Sequence, residues 1–220
     1  MDANSIGHST SGALTGKEIA DRLDKDLFIR PLLEVDKQIN ELGIDFRLGC
    51  DFLVSLQGRE AFINASLNGD RPQRNIHQFF QPTRRQLGET FILYPHQTIL
   101  ATSLEYLKMP DNLFLMLMMR SSYARLGLTI STIVQPGYCG CISLELTNNN
   151  RNSINLTVGA RVFQAIFFNT EKTQYYSKER KYICQVRPEP SGAIKDQDLG
   201  LLHELWCAEN NRTPNKLSTP

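Results

Sequence analysis

The sequence predicts a mainly β protein: a distorted β-barrel or jelly-roll-like domain with a short N-terminal helix and a C-terminal tail helix. Three observations predict it. Apolar and polar residues alternate in many short segments between about residues 24 and 170. Gly, Pro, Asn and Asp punctuate those segments at short intervals. No long stretch of helical period stands between them, which favours closed or sandwiched antiparallel sheets over alternating strand–helix units.

The elements follow in order. Residues 1–13 are small and polar and are predicted to be disordered. Thr15 and Glu18 have capping-box spacing ahead of Ile19, Ala20 and Leu23, which predicts a short amphipathic helix over 15–24. The strand candidates are "IDFRLG", "DFLVSL", "ETFILYP", "QTILATSLEYL", "NLFLMLM", "CISLELTN", "INLTVG" and "RVFQAIFF". Residues 59–87 are polar and rich in arginine, and read as a long loop or insertion. Residues 171–197 are charged and turn-rich, and read as a mobile tail. "DLGLLHELWCAENN" at 198–211 predicts a short helix with Leu201, Leu202, Leu205 and Trp206 on one side. The domain is expected to span 14–195, with a C-terminal extension at 196–220.

Composition narrows the function classes. Of 220 residues, 41% are hydrophobic, enough for a real core. A net charge of +1 without a basic tract makes no case for nucleic acid or a membrane surface. No apolar stretch approaches the roughly 18 residues of a spanning helix, and the N-terminus does not read as a secretory leader. Five cysteines (Cys50, Cys139, Cys141, Cys184, Cys207) are an odd number in a fairly long chain, which favours a reducing cytoplasm over a disulfide framework.

Several chemistries lack their residues. "GALTGKE" at 12–18 has the wrong spacing for a phosphate loop and places Glu18 where Ser or Thr should bind magnesium. The zinc-deaminase pattern H-x-E followed by P-C-x-x-C is missing. Cys139 and Cys141 form a C-x-C with no second pair and no nearby His, and read as structural. His8, His77, His96 and His203 are scattered, and no serine sits in a G-x-S-x-G elbow.

One junction is unusual. The apolar run "NLFLMLMM" leads directly into "RSSYARLGL" at 120–128. Two arginines and two serines within six residues fit either a solvated polar loop or an anion site at the end of a core strand. If the segment takes one helical turn, Ser121 and Arg125 project from one face. Backbone N–H groups at such a turn favour phosphate, and Arg120 and Ser122 suit phosphate oxygens through charge-assisted hydrogen bonds. In "CISLELT", Ile142, Leu144 and Leu146 point one way, while Ser143, Glu145 and Thr147 point the other. On pattern alone Glu145 is an ordinary solvent-facing strand residue.

Taken together, "RSSYARLGL", "TIVQPGYCGCISLELTNNN" and "LTVGARVFQAIFF" resemble the dCTP deaminase group of the trimeric dUTPase-like superfamily. The family pattern is R-S-S-x-A-R-L-G-L, a hairpin ending in D-P-G-aromatic, G-x-I-x-L-E, then P-G-x-x-I-G-Q. "LTGKEIADRL", "IDFRLG", "ILATSLEYLKMPDNL" and "KYICQ" also fit, so the likeness runs from about 14 to 192. The resemblance implies a dUTPase-like fold, a homotrimer with sites between subunits, and zinc-independent hydrolytic deamination of dCTP to dUTP and ammonia. It implies Glu145 as general base with Ser121 and Arg125 fixing the water and the developing charge. It places the segment Arg120, Ser121, Ser122, Tyr123, Ala124 and Arg125 on substrate. Backbone groups at Ser143 and Leu144 would lie against the base, and Gln135 and Tyr138 against the sugar. One of Tyr175 or Tyr176, with Lys181 and Gln185, would lie over the triphosphate. Mg2+ would travel with the phosphates, and no zinc is implied. Two positions depart from the pattern: Gln135 stands for the aspartate before P-G, and Met119 for a glycine before R-S-S. The alternatives are a dUTPase, a bifunctional deaminase–dUTPase, and a catalytically silent nucleotide-binding trimer.

Overall fold

The computed structural model describes residues 12–56, 63, 65, 76–130, 132–171, 182 and 184–210. Residues 1–11 of the segment expected to be disordered, and 172–181 and 183 of the expected tail, lie outside them. The chain forms two compact units. One comprises Met1–Ser55 with Pro82–Glu189, the other Leu56–Gln81 with Pro190–Pro220.

The first unit opens with α1 (Gly16–Arg22), and its capping box is made: Thr15 and Glu18 each satisfy the other's backbone N–H. Ile19 of this helix is fully buried. Then come β1 (Phe28–Arg30), α2 (Val35–Gln38), β2 (Ile39–Asn40), β3 (Gly43–Ser55), β4 (Phe80–Arg84), β5 (Thr90–Leu93), β6 (Thr98–Lys108) and β7 (Leu113–Met119). They continue as α3 (Ser121–Ala124), β8 (Leu128–Thr129), β9 (Thr132–Val134), β10 (Cys139–Asn148), β11 (Ile154–Thr157) and β12 (Arg161–Asn169).

Among the described residues, ten strands join in one sheet, ordered β8-β10-β6-β3-β12-β7-β9, with β1 on β6 and both β2 and β4 on β3. β5 and β11 pair separately. β8 and β9 stand at opposite ends of that order, yet only residues 130 and 131 separate them in the chain. So short a link spans roughly 11 Å at most, so the sheet curls until its two ends meet. The expected distorted barrel is formed.

β3 turns the corner. "IDFRLG" and "DFLVSL", read from the sequence as two strands, are one thirteen-residue strand. Its first half pairs β12 and its second half β6, with the register shifting between Leu48 and Phe52. Gly49 sits in that shift; a Cβ there would lie 2.6 Å from the Thr102 carbonyl oxygen, so glycine lets β3 and β6 approach. Inside the curl, Phe46, Phe52, Phe163 and Phe167 are fully buried, and Phe52 stacks on Phe91 at 4.1 Å. These four rings are the largest of the fully buried side chains.

In the second unit, a 3-10 turn (Ile76–Phe79) and α4 (Gln197–Glu209) are described. The expected helix exists, but the side carrying Leu201, Leu202 and Leu205 is exposed. His203 and Cys207, four residues apart on another stripe, are buried instead. No helix among the described residues is long and apolar enough to cross a membrane.

Candidate active site

β7 alternates as its pattern requires. Leu113, Leu115 and Leu117 are buried, and Met116 and Met118 face outward. The strand ends at Arg120 because the chain changes hydrogen-bonding partner there. Arg120 N–H still donates across the sheet to the Val162 carbonyl at 2.9 Å, while its own carbonyl accepts from Tyr123 and Ala124. One helical turn results, closed by Arg125 N–H donating to the Ser121 carbonyl at 3.1 Å. Ser121, Ser122, Ala124 and Arg125 are exposed on it, and Tyr123 is half-buried against the core.

Arg120, Ser121 and Ser122 line a cleft of about 490 Å³ with Lys37, Asn40, Asp45, Arg161 and Gln164. The lining thus brings three cations, the two serine hydroxyls and two carboxylates, Asp45 and Glu41, to one cleft. Arg120 is more constrained than the sequence suggests. Its Nε pairs with Asp45 Oδ2 at 3.0 Å and its Nη1 donates to the Arg161 carbonyl at 2.9 Å. Arg161 Nη1 also faces Asp45, at 3.6 Å, and donates to the Lys37 carbonyl. Asp45 is buried; burial pushes its carboxyl above the usual range, against the pull of Arg120, Arg161 and Arg47.

A buried polar net supports this wall. Gln38 accepts from the N–H groups of Leu33 and Glu34 and from Arg47 Nε, and donates to the Asp45 carbonyl and to Glu105 Oε1 at 2.9 Å. Glu105 also accepts from Arg47 N–H at 2.9 Å. Burial is the larger influence on Glu105, and its pKa is pushed up to about 7. Sequence reading missed Lys37, Asp45 and Arg161. Asp45 and Arg161 occupy the quoted segments "IDFRLG" and "GARVFQ", but alternation along a strand does not say which cross-strand neighbour a charge will meet.

The second group of expected residues lies on β10. Ile142, Leu144 and Leu146 are buried, Ser143 is half-buried, and Glu145 is exposed. Thr132 Oγ1 donates to Glu145 Oε2 at 3.4 Å. One edge of β10 pairs β6 along most of its length. The other edge is held by β8 at Thr147 and Asn148, and near Cys141 by the Gln185 carbonyl. Ser143, Leu144 and Glu145 fall between those two clamps.

The remaining expected residues divide. Gln135 is exposed in the turn before β10. Tyr138 is buried, with its hydroxyl donating to the Cys141 carbonyl at 2.7 Å. Gln185 is also buried, and among the described residues neither polar atom of its side-chain amide has a hydrogen-bond partner. Tyr175, Tyr176 and Lys181 lie outside the described residues. The cleft gathers Arg120, Ser121 and Ser122, but its lining does not include Glu145, Arg125 or Gln135.

Comparison with known proteins agrees with this architecture. The family described as dCTP deaminase-like matches residues 13–170. A protein of Methanobrevibacter smithii named "dCTP deaminase, dUMP-forming" is 31% identical over 194 residues, covering 84% of this chain and 97% of its own. A Halorubrum lacusprofundi protein named "dCTP deaminase" is 35% identical over 193 residues, with coverage of 84% and 93%. The crystal structure of 2′-deoxycytidine 5′-triphosphate deaminase from Agrobacterium tumefaciens superimposes with a TM-score of 0.54 at 21% identity, over 72% of this chain and 48% of that one. That likeness shows the fold. The match to the family over most of the curled sheet, with the R-S-S turn and Glu145 inside it, shows that the chain belongs to the dCTP deaminase-like family.

Proposed function

We propose that the protein deaminates dCTP by hydrolysis, releasing ammonia and dUTP. The observation that carries this reading is the outward-facing Glu145, lying between the two clamps on β10, in a chain of this family. Glu145 takes a proton from water as the oxygen adds to C4 of cytosine, and delivers one to the ring nitrogen. Return of the second proton lets the exocyclic amine leave as ammonia. Ser121 and Arg125 hold the water and stabilise charge in the tetrahedral intermediate. Gln135 accepts a hydrogen bond from the sugar.

Ser122 and the cations Arg120, Arg161 and Lys37 receive the triphosphate. Among the described residues, no group of three His, Cys, Asp or Glu side chains is placed to hold a metal ion. The hydroxyls and cations of the cleft fit phosphate oxygens, and Mg2+ is held through the phosphates, where it neutralises their charge. Because the cleft and Glu145 are both exposed and do not share a lining, we assign the complete site to a homotrimer, one subunit supplying what its neighbour lacks. The outward Met116, Met118 and Ile133 offer an apolar surface for such assembly.

The test is paired. Glu145→Gln keeps side-chain length and packing but removes the carboxylate. Ammonia release should fall by about 10²–10⁴-fold, the usual worth of general acid–base catalysis, while dCTP affinity by calorimetry changes little. A mutant that deaminates at the wild-type rate removes Glu145 from the chemistry. A wild type that binds dCTP yet releases no ammonia makes the chain a silent binder. The dUMP-forming relatives favour a second reading in which the triphosphate is also cleaved. Analysis of dUTP, dUMP and pyrophosphate in the same incubation separates the two.

A further inference from the structure

Cys139 opens β10, and Cys184 lies in the segment running beside it. Cys184 N–H donates to the Cys139 carbonyl at 2.7 Å, and Cys141 N–H to the Gln185 carbonyl at 2.8 Å. These bonds lay the C-terminal segment along the start of the strand. Gly140 permits the approach: a Cβ there would stand 2.9 Å from the Gln185 carbonyl oxygen and 2.8 Å from the Tyr138 hydroxyl. The two sulfurs are 2.7 Å apart. A covalent bond requires them to close by only about 0.65 Å. Cys184 is exposed and Cys139 half-buried, so solvent reaches the pair. The neighbouring Tyr106 phenol stays protonated to about pH 12, held there first by burial and then by its hydrogen bond to Cys139. It therefore adds no competing charge beside the sulfurs.

We propose that Cys139 and Cys184 form a reversible, redox-responsive staple that fastens the C-terminal segment to β10 by exchange with a low-molecular-weight disulfide of the glutathione class. The exposed Cys184 thiolate attacks one sulfur of the small disulfide. The small S–S bond breaks, one small thiol leaves with a proton, and a mixed disulfide remains on Cys184. The Cys139 thiolate then attacks Cys184 Sγ and expels the second small thiol, which also takes up a proton. Two protein thiols are oxidised to one disulfide, and one small disulfide is reduced to two thiols. The staple sits next to the buried Gln185, so oxidation holds that side chain in place and reduction releases it. This inference does not rest on the proposed reaction.

The test uses the full-length protein with oxidised glutathione at neutral pH. Free thiols are then blocked with an alkylating reagent, and the chain is digested without reduction for mass spectrometry. Two of the five thiols should be lost, in a cross-linked peptide joining Cys139 and Cys184 within one chain, and dithiothreitol should restore both. Hydrogen exchange at the Cys141 and Cys184 amides should slow severalfold in the oxidised protein. Cys184→Ser should abolish both changes. Recovery of all five thiols, mixed disulfides alone, a Cys139–Cys141 bond or a bond between chains would each overturn the staple. A Cys139–Cys184 bond that leaves amide exchange unchanged would overturn its fastening role.

Discussion

At Asp45, burial and charge pull in opposite directions. Its carboxyl is desolvated, yet it holds Arg120 at 3.0 Å and Arg161 at 3.6 Å in the wall of the cleft. Asp45→Asn keeps the shape and removes the charge that orients both guanidinium groups. Removing one partner leaves Arg120 and Arg161 without their counter-charge, so unfolding free energy should fall by roughly 3 kcal/mol, the low end for a broken buried pair because both guanidinium groups reach solvent. KM for dCTP should rise roughly tenfold with kcat nearly constant, the signature of lost ground-state binding. Steady-state kinetics beside a thermal melt check both, and an unchanged KM removes Asp45 from phosphate positioning. Gln135 has a simpler role in the proposed complex. Gln135→Ala should raise KM by the equivalent of about 1 kcal/mol, the worth of one neutral hydrogen bond.

α1 owes its start to the Thr15–Glu18 box, in which Glu18 accepts from Thr15 N–H at 2.8 Å. That bond and the Thr15 hydroxyl hold the Glu18 carboxyl below its ordinary range. The helix carries Ile19 into the core and packs beside β2, whose Asn40 lines the cleft. Thr15→Ala should cost about 1 kcal/mol of stability, read as a lower denaturant midpoint with an unchanged slope. Since the cap touches no proposed substrate contact, kcat should stay within error of the wild type.

For the whole molecule, the buried Glu105 links stability to pH. Its folded pKa of about 7 lies above its ordinary 4.5, so the native state binds the proton more tightly than the unfolded chain. The stability from its neutral form is fully present below about pH 4.5 and is lost as pH rises through 7. Urea titrations across this window should show wild type losing roughly 3 kcal/mol more than Glu105→Gln. Equal pH slopes for the two proteins would mean that Glu105 titrates normally. Assembly is the second property at this scale. Light scattering should give three times the monomer mass, and the double mutant Met116→Lys with Ile133→Lys should shift the protein toward monomer and remove deamination. A fully active monomer would show that one chain holds the whole site.

What the sequence determined by itself is what local rules control. Alternation of period two placed the strands and turned Glu145 outward while Leu144 and Leu146 went inward. Capping chemistry placed α1, and the run from Arg120 to Arg125 made its helical turn within a few residues. Tertiary structure alone decided which distant residues meet. It joined "IDFRLG" and "DFLVSL" into one strand across a bulge and set Asp45 between Arg120 and Arg161. It turned Tyr138 into the core, buried the His203 side of α4, and brought Cys139 to Cys184 instead of to its near neighbour Cys141. The physical reason is that a strand's pattern fixes which face each side chain takes, whereas its neighbours are chosen by the closure of the whole sheet. Cys139 and Cys141, two apart in a strand, share a face but are held roughly 7 Å apart along it, so C-x-C is no guide to a partner across the ladder.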